Sequence, residues 1–235
     1  MRFKMSFDFY ADFQRFENNP AIQNKIEKII CWNNPLAQFE WITDKKLQKR
    51  GVDVKILKNG RCFNIDIKGV SYANNHHYLE DISIEIVSNV DEYLSSKGKR
   101  GLSWLFKTDS LTEELLYYWL DAGGSVKSTI VIIPFKSLWK WGHVYFNQFE
   151  FYRFLKRAEK KIRDQKYRTE YIGKFKDFEV FSAKNRYYYT INCKTVLTYL
   201  NGIFHEFELD EIYSLKKPDT IKIKSKKMQK MGDLF

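Results

Sequence analysis

A chain of 235 residues with 44% hydrophobic and 17% aromatic residues is long enough to bury one sizeable core, which argues against a disordered chain. Its formal charge of +11 favours an anionic partner, and nucleic acid is the commonest such partner inside cells. The longest apolar run, TIVIIPF, is far shorter than a bilayer span, and the amino terminus alternates apolar residues with charges. We therefore expect a soluble, cytoplasmic protein without a membrane segment.

The predicted elements begin with a helix and continue with strands. Asn19 is a typical N-cap before a proline, and isoleucines at helical spacing predict a helix over residues 20–32. Strict alternation predicts strands in GVDVKI, CFNIDIK and DISIEIV, and STIVIIP predicts a more buried strand. Residues 145–165 favour an amphipathic helix with a cationic outer face, and residues 171–213 favour further strands and a short helix.

The composition changes near the carboxyl end of the chain. Residues 1–213 carry the apolar patterns and are predicted to form a single domain, with its core motifs in residues 20–90. Residues 214–235 are rich in lysine and poor in core residues, which predicts a basic, flexible tail.

The dipeptide Asn59-Gly60 predicts a two-residue hairpin, because both central positions of a type I′ turn need positive φ. This turn places Asp53 opposite Asp66, on the face that the hydrophobic pairs do not occupy. Directly opposed residues have Cβ atoms about 4.5–5.5 Å apart, so two carboxylates repel each other unless a cation or a proton lies between them. The pair therefore predicts a site for a hard divalent cation, Mg²⁺ or Mn²⁺.

Lys68 follows Asp66 by two positions and is predicted to share its face. In this interpretation Asp53 and Asp66 hold the metal, which acidifies or positions a water, and Lys68 stabilises the charge that develops on a phosphoryl group. The alternative is a solvent-exposed hairpin face decorated with charges, in which Asp53 lies beyond the regular strand pairing.

The order of these residues, Asp53 and then Asp66-Ile67-Lys68 inside an alternating apolar run, resembles the PD-(D/E)XK nuclease superfamily. Val52 stands where the proline of that name would precede the first aspartate, and the resemblance covers mainly residues 20–90. It implies a restriction-endonuclease-like α/β fold, a mixed β-sheet flanked by helices, here with additional C-terminal α+β elements. It also implies metal-dependent cleavage of phosphodiester bonds, usually in DNA. RNA as the substrate and a homodimeric state both stay open.

Three further residues are candidates for the same site. Members of the superfamily often carry an acidic residue on the helix before the first catalytic strand, and the position of Glu27 matches it. The stretch before that strand resembles phage and bacterial members, in which Gln48 would line the site. Glu85 lies on the polar face of DISIEIV, and an outward-facing glutamate on a half-buried strand is the alternative.

Two basic segments are candidates for attracting a phosphate backbone, which they would do without reading sequence. The alternative is an ordinary solvated surface. The loop candidates are Lys97, Lys99 and Arg100, and the helix candidates are Lys156, Arg157, Lys160 and Arg163.

The last residues, MGDLF, resemble the short peptides by which replication and repair proteins dock into the bacterial sliding clamp. Asp233, Leu234 and Phe235 are the candidate docking residues. A non-catalytic DNA-binding or replication accessory protein that docks to such a partner is therefore the alternative to a nuclease.

Overall fold

A computed structural model describes residues 19–71, 81–120, 126–147, 149–184 and 187–217. The helices in these ranges are α1 (Pro20–Asn33), α2 (Lys45–Lys49), α3 (Val90–Ser95), α4 (Phe135–Tyr145), α5 (Phe149–Arg163) and α6 (Leu197–Glu206). The strands are β1 (Gln38–Trp41), β2 (Val54–Lys58), β3 (Arg61–Ser71), β4 (Asp81–Val87), β5 (Glu114–Leu120), β6 (Val126–Pro134), β7 (Thr169–Phe175), β8 (Phe178–Lys184), β9 (Tyr189–Val196) and β10 (Tyr213–Lys216). Among the described helices, none is long and apolar enough to cross a membrane.

The strands form two sheets, which confirms a mixed α/β architecture. The first sheet has the order β1-β2-β3-β5-β6-β10, and it is mixed because β3 pairs with β5 in parallel while its other pairs are antiparallel. The second sheet, β4-β9-β8-β7, is antiparallel throughout. The sequence patterns did not predict this division, and they did not predict β1 or β5.

Each face of the six-stranded sheet is covered by a separate hydrophobic cluster. One cluster packs the isoleucines of α1 against alternate residues of β2, β3, β5 and β6. The other cluster joins the opposite face of β5 and β6 to the second sheet and to helices α3, α4, α5 and α6. Every residue of β5 is buried, as expected for a strand that is covered on both faces.

Local sequence explains the start of the fold. The Asn19 side chain accepts a hydrogen bond from the Ala21 N–H and Pro20 occupies the first turn of α1, so the predicted N-terminal cap is confirmed. The isoleucines that predicted this helix are all buried, and they are Ile22, Ile26, Ile29 and Ile30. The helix ends at Asn33, one residue beyond the predicted range.

The predicted hairpin between β2 and β3 is confirmed. Asn59 and Gly60 have φ values of 52° and 76°, and the register pairs Lys58 with Arg61 and Val54 with Ile65. The regular pairing ends at Val54, however, so Asp53 precedes β2 and does not take part in the ladder.

The folded part of the chain extends past residue 213. Tyr213–Lys216 form strand β10, which pairs with Thr129–Ile132 of β6, so Ser214 belongs to the sheet and not to a tail. The proposed docking residues Asp233, Leu234 and Phe235 lie outside the described residues.

Candidate active site

Asp53 approaches β3 at the point where β2 diverges from it. Its backbone N–H donates to the Ile65 carbonyl at 2.9 Å, and its Oδ2 accepts a hydrogen bond from the Ile67 N–H at 2.8 Å. The carboxylate thus replaces the backbone partner that β2 no longer supplies, which satisfies a buried amide. Because the Ile67 nitrogen is bonded to the carbonyl carbon of Asp66, the two aspartates meet at neighbouring backbone positions and not as a directly opposed pair.

Asp66 and Lys68 alternate along β3 with Ile65 and Ile67, which belong to the cluster under α1. Both polar side chains therefore lie on the opposite face of the sheet. Lys68 Nζ lies 2.6 Å from Asp66 Oδ1, and the side chains are 20% and 5% exposed, so this ion pair is largely shielded from water. Lys68 Nζ also lies 5.1 Å from the centroid of the Trp104 ring, which favours a fixed position for the ammonium.

Glu85 reaches this group from β4 of the second sheet. Its Oε1 accepts a hydrogen bond from Ser88 Oγ at 2.6 Å, and its backbone carbonyl accepts one from Ser103 Oγ. Burial raises the pKa of the Glu85 carboxyl, while the Ser88 hydroxyl and the ammonium groups of Lys68 and Lys107 oppose that rise. Glu85 therefore lies within electrostatic reach of Lys68, although β4 is not a neighbour of β3 in one sheet.

The raised pKa of Glu85 predicts a pH-dependent cost to folding. A carboxyl whose pKa is raised by folding stabilises the protein below its ordinary pKa, and that contribution is lost as the pH rises through the folded-state pKa. We expect Glu85→Gln to raise the free energy of unfolding at pH 7 by about 0.5–1 kcal/mol, a size typical of single stabilising changes at functional sites. The difference should disappear toward pH 4, where the wild-type carboxyl also becomes neutral.

Urea denaturation at a series of pH values measures this difference. Glu92→Gln is the control for losing the same charge at an exposed position, on α3. A Glu85→Gln protein that is less stable than the wild type at pH 7 would instead show that the neighbouring ammonium groups outweigh the effect of burial.

The other two residues predicted for this site, Glu27 and Gln48, form hydrogen bonds with residues outside it. Glu27 accepts a hydrogen bond from Trp41 Nε1, and α1 carries it on the opposite side of the sheet from Asp66. Gln48 Nε2 donates to the Ile42 carbonyl at 2.8 Å, and the Ile42 N–H donates to the Asp53 carbonyl at 2.9 Å. Gln48 thus supports the backbone beside Asp53.

Two residues near the site were not among the predicted ones. Tyr117, on β5, donates its hydroxyl hydrogen to the Ser83 carbonyl, and burial together with the nearby Asp66 charge raises its pKa far above the usual range. It lies in ELLYYWL, an apolar run without alternation that gave no signal for a polar role. Lys107 follows the short helical turn Trp104–Phe106 and is exposed, and its influence on Glu85 becomes visible only in the folded chain.

The donor atoms of Asp53 and Asp66 suit a hard cation. Carboxylate oxygens are the ligands that Mg²⁺ and Mn²⁺ prefer, and Mg²⁺ is commonly bound by one or two carboxylates while it keeps waters and substrate oxygens. In the part of the chain that the structure describes, no three His, Cys, Asp or Glu residues form a ready-made cluster of metal ligands. A cation held here would therefore take its other ligands from water or from a phosphate.

The predicted basic residues are exposed, but their charges are not equally available. Lys156 Nζ lies 2.6 Å from Glu159, and Arg163 pairs with both Glu159 and Asp91 at 2.9 Å. The hydrogen bonds to Glu159 raise the pKa of Lys156 and of Arg163. The Arg163–Asp91 pair also joins α5 to α3, the helix that precedes the loop of Lys97, Lys99 and Arg100. Lys97, Lys99, Arg100, Arg157 and Lys160 form no ion pair with described residues.

Comparison of the chain with protein-family models, curated proteins and solved structures finds no match. The chemistry available to the protein has to be read from its own residues. Two carboxylates and an ammonium at one edge of a buried strand define a candidate site for a metal ion and a phosphate group.

Proposed function

We propose that this protein is a metal-dependent nuclease that hydrolyses phosphodiester bonds of DNA at the site formed by Asp53, Asp66 and Lys68. The observation that carries the proposal is the Asp53 carboxylate bound to the amide that directly follows Asp66, with the Lys68 ammonium 2.6 Å from Asp66. Buried like charges are costly unless they are compensated, so their retention in one place favours a functional role.

The arrangement of elements around the site supports the same proposal. Helix α1 is followed by three antiparallel strands, and β5 then returns in parallel beside β3. This order agrees with a restriction-endonuclease-like core, the fold that the PD-(D/E)XK resemblance implies. In this proposal the additional C-terminal elements would be β7, β8, β9 and α6, whereas β4 of the second sheet lies between β3 and β5 along the chain.

Each residue of the site has a defined task in this proposal. Asp53 and Asp66 would hold the cation, and Asp53 is kept in position by the Ile67 amide. A bound Mg²⁺ would supply Lewis-acid stabilisation and lower the pKa of a coordinated water. Lys68 would contact a phosphate oxygen and stabilise the negative charge that increases as water attacks the phosphorus. Glu85, on the second sheet, would accept a proton or orient that water.

Incubation with supercoiled plasmid DNA and with a single RNA transcript tests the proposal. We expect the protein to nick or cut the plasmid with Mg²⁺ or Mn²⁺ and to leave it intact in EDTA. Lys68→Met should lower the rate by about 10²-fold, the usual effect of removing one group that stabilises transition-state charge.

Lys55→Met is the matched control for this experiment. Lys55 lies on β2 of the same hairpin and pairs at the surface with Glu40, so its loss should leave cleavage unchanged. Cleavage of RNA but not of plasmid would show that the substrate is RNA. Plasmid binding without cutting under every metal condition would contradict the proposal and support the non-catalytic DNA-binding or replication accessory protein.

A further inference from the structure

We propose that a groove between α3 and α5 binds an unpaired segment of a DNA strand. The groove has a volume of about 370 Å³, and its lining includes Lys97, Lys99, Phe149 and Tyr152. This inference deepens the proposed function and rests on it for the identity of the ligand as DNA. It adds a preference for unstacked bases, which the cationic residues alone do not imply.

The aromatic wall of the groove supplies the contact for a base. Phe149 is the first residue of α5 and is 66% exposed, although burial of a phenylalanine ring is normally favourable. Its ring stacks with Tyr152 at a centroid distance of 5.9 Å and an interplanar angle of 27°. The Arg153 guanidinium lies 5.9 Å from the same ring centroid. A flat, partly cationic aromatic surface of this kind is the usual platform for a nucleic-acid base.

The opposite wall of the groove presents cations on a stiff loop. The Gly98 N–H donates to the Tyr93 carbonyl at 2.8 Å, so the loop after α3 folds back onto that helix. Gly101 has a φ of 73°, and a Cβ there would lie 2.4 Å from the Asn89 carbonyl oxygen, so glycine is required. Lys97 and Lys99 project from this loop, and neither forms an ion pair with a described residue. Their charge is therefore available to a phosphate backbone.

The groove and the candidate active site are joined by a short piece of chain. Leu102 lines the groove and forms a bridge with Val87, the last residue of β4. The next residue, Ser103, donates a hydrogen bond to the backbone carbonyl of Glu85. The segment that lines the groove is therefore fixed to β4 beside Glu85, the residue that feels the charge of Lys68.

The combination of an aromatic wall and a cationic wall favours a single strand over a duplex. In duplex DNA the faces of the bases are covered by their neighbours, so an aromatic side chain gains no stacking without unstacking a base pair. In a single strand each base offers an open face, and successive phosphates follow at the spacing of the backbone. The lysines alone would attract both forms, whereas Phe149 and Tyr152 add affinity only for the unpaired one.

Fluorescence anisotropy with a 20-nucleotide oligothymidylate and a 20-base-pair duplex tests this inference. The titrations are made in EDTA, so binding is measured without cleavage. We expect Phe149→Ala to weaken oligothymidylate binding by about tenfold and to leave duplex binding unchanged. Lys97→Ala combined with Lys99→Ala should weaken binding of both probes and reduce the salt dependence of each.

Tyr167→Ala is the matched control, because Tyr167 is 71% exposed and lies beyond the other end of α5. Equal oligothymidylate binding by Phe149→Ala and wild-type protein would overturn the inference, as would equal affinity of the wild type for both probes. If Phe149→Ala loses single-strand binding but the wild type never cuts plasmid, the groove is supported and the nuclease proposal fails. If plasmid is cut but Phe149→Ala binds normally, the nuclease proposal stands and the groove inference fails.

Discussion

Replacing Asp66 by asparagine is expected to lower metal-dependent cleavage of plasmid DNA by at least about 10²–10³-fold. Asparagine keeps the size of the side chain and one oxygen, but it removes the negative charge that would bind a cation. It also removes the charged partner of Lys68, whose ammonium lies 2.6 Å from Asp66 Oδ1. Asp66 is only 4% exposed, so bulk water would compensate poorly for either loss.

Cleavage rates and Mn²⁺ binding should be measured on the same Asp66→Asn preparation. Binding followed by isothermal titration should weaken together with cleavage, because both depend on the same carboxylate. Asp210→Asn is the control, since Asp210 is an exposed residue outside the helices and strands and loses the same charge. Unchanged cleavage by Asp66→Asn would exclude this site as the reaction centre, and unchanged Mn²⁺ binding would exclude it as the metal site.

Replacing Glu114 by alanine is expected to reduce the free energy of unfolding by about 3–5 kcal/mol, the usual cost of breaking a buried ion pair from one side. Glu114 accepts hydrogen bonds from Lys58 Nζ at 2.9 and 3.1 Å and from the Tyr213 hydroxyl at 2.9 Å. The Lys58 and Glu114 side chains are 18% and 12% exposed. Lys58 Nζ also lies 4.3 Å from the centroid of the Phe63 ring. Without Glu114, the Lys58 ammonium would remain in a poorly solvated place without its carboxylate.

Further variants separate the stability that the ion pair contributes from the cost of leaving the Lys58 charge without its carboxylate. Lys58→Met combined with Glu114→Ala should be more stable than Glu114→Ala alone, because the double change removes both charges. Glu40→Ala breaks a more exposed pair with Lys55 and should cost less than about 1 kcal/mol. Urea denaturation measures all of these variants. A Glu114→Ala protein as stable as Glu40→Ala would show that water reaches Lys58 readily.

This buried network also explains why the fold continues to β10. Tyr213 is the first residue of β10, and its hydroxyl reaches the pair formed by the end of β2 and the start of β5. The lysine-rich composition after residue 213 predicted a tail, since it contains few core residues. A four-residue strand is nevertheless held by pairing with β6 and by the two hydrogen bonds of the Tyr213 hydroxyl, and neither feature is apparent in a local sequence pattern.

The features that the sequence predicted correctly are local ones. Pro20 and the isoleucine spacing specify α1, because capping and amphipathicity act within a few turns of one helix. Asn59-Gly60 specifies the β2–β3 register, because the requirement for positive φ belongs to those two residues alone. The placement of Asp66 and Lys68 on one face of β3 follows from the two-residue period of a strand.

The features that only the tertiary structure decided depend on contacts between distant segments. Asp53 was expected to oppose Asp66 directly. The regular pairing of β2 with β3 stops at Val54, however, and the Asp53 carboxylate instead accepts a hydrogen bond from the Ile67 N–H. Glu85 on the second sheet lies within electrostatic reach of Lys68 on the first sheet. This was not predictable, because alternation shows which face of β4 is polar but not which sheet β4 joins. Chain pattern therefore determined α1, the hairpin and the polar face of β3. Sheet membership, the approach of Glu85 and the groove beside Phe149 were decided by packing, because burial and pairing link residues that are far apart along the chain.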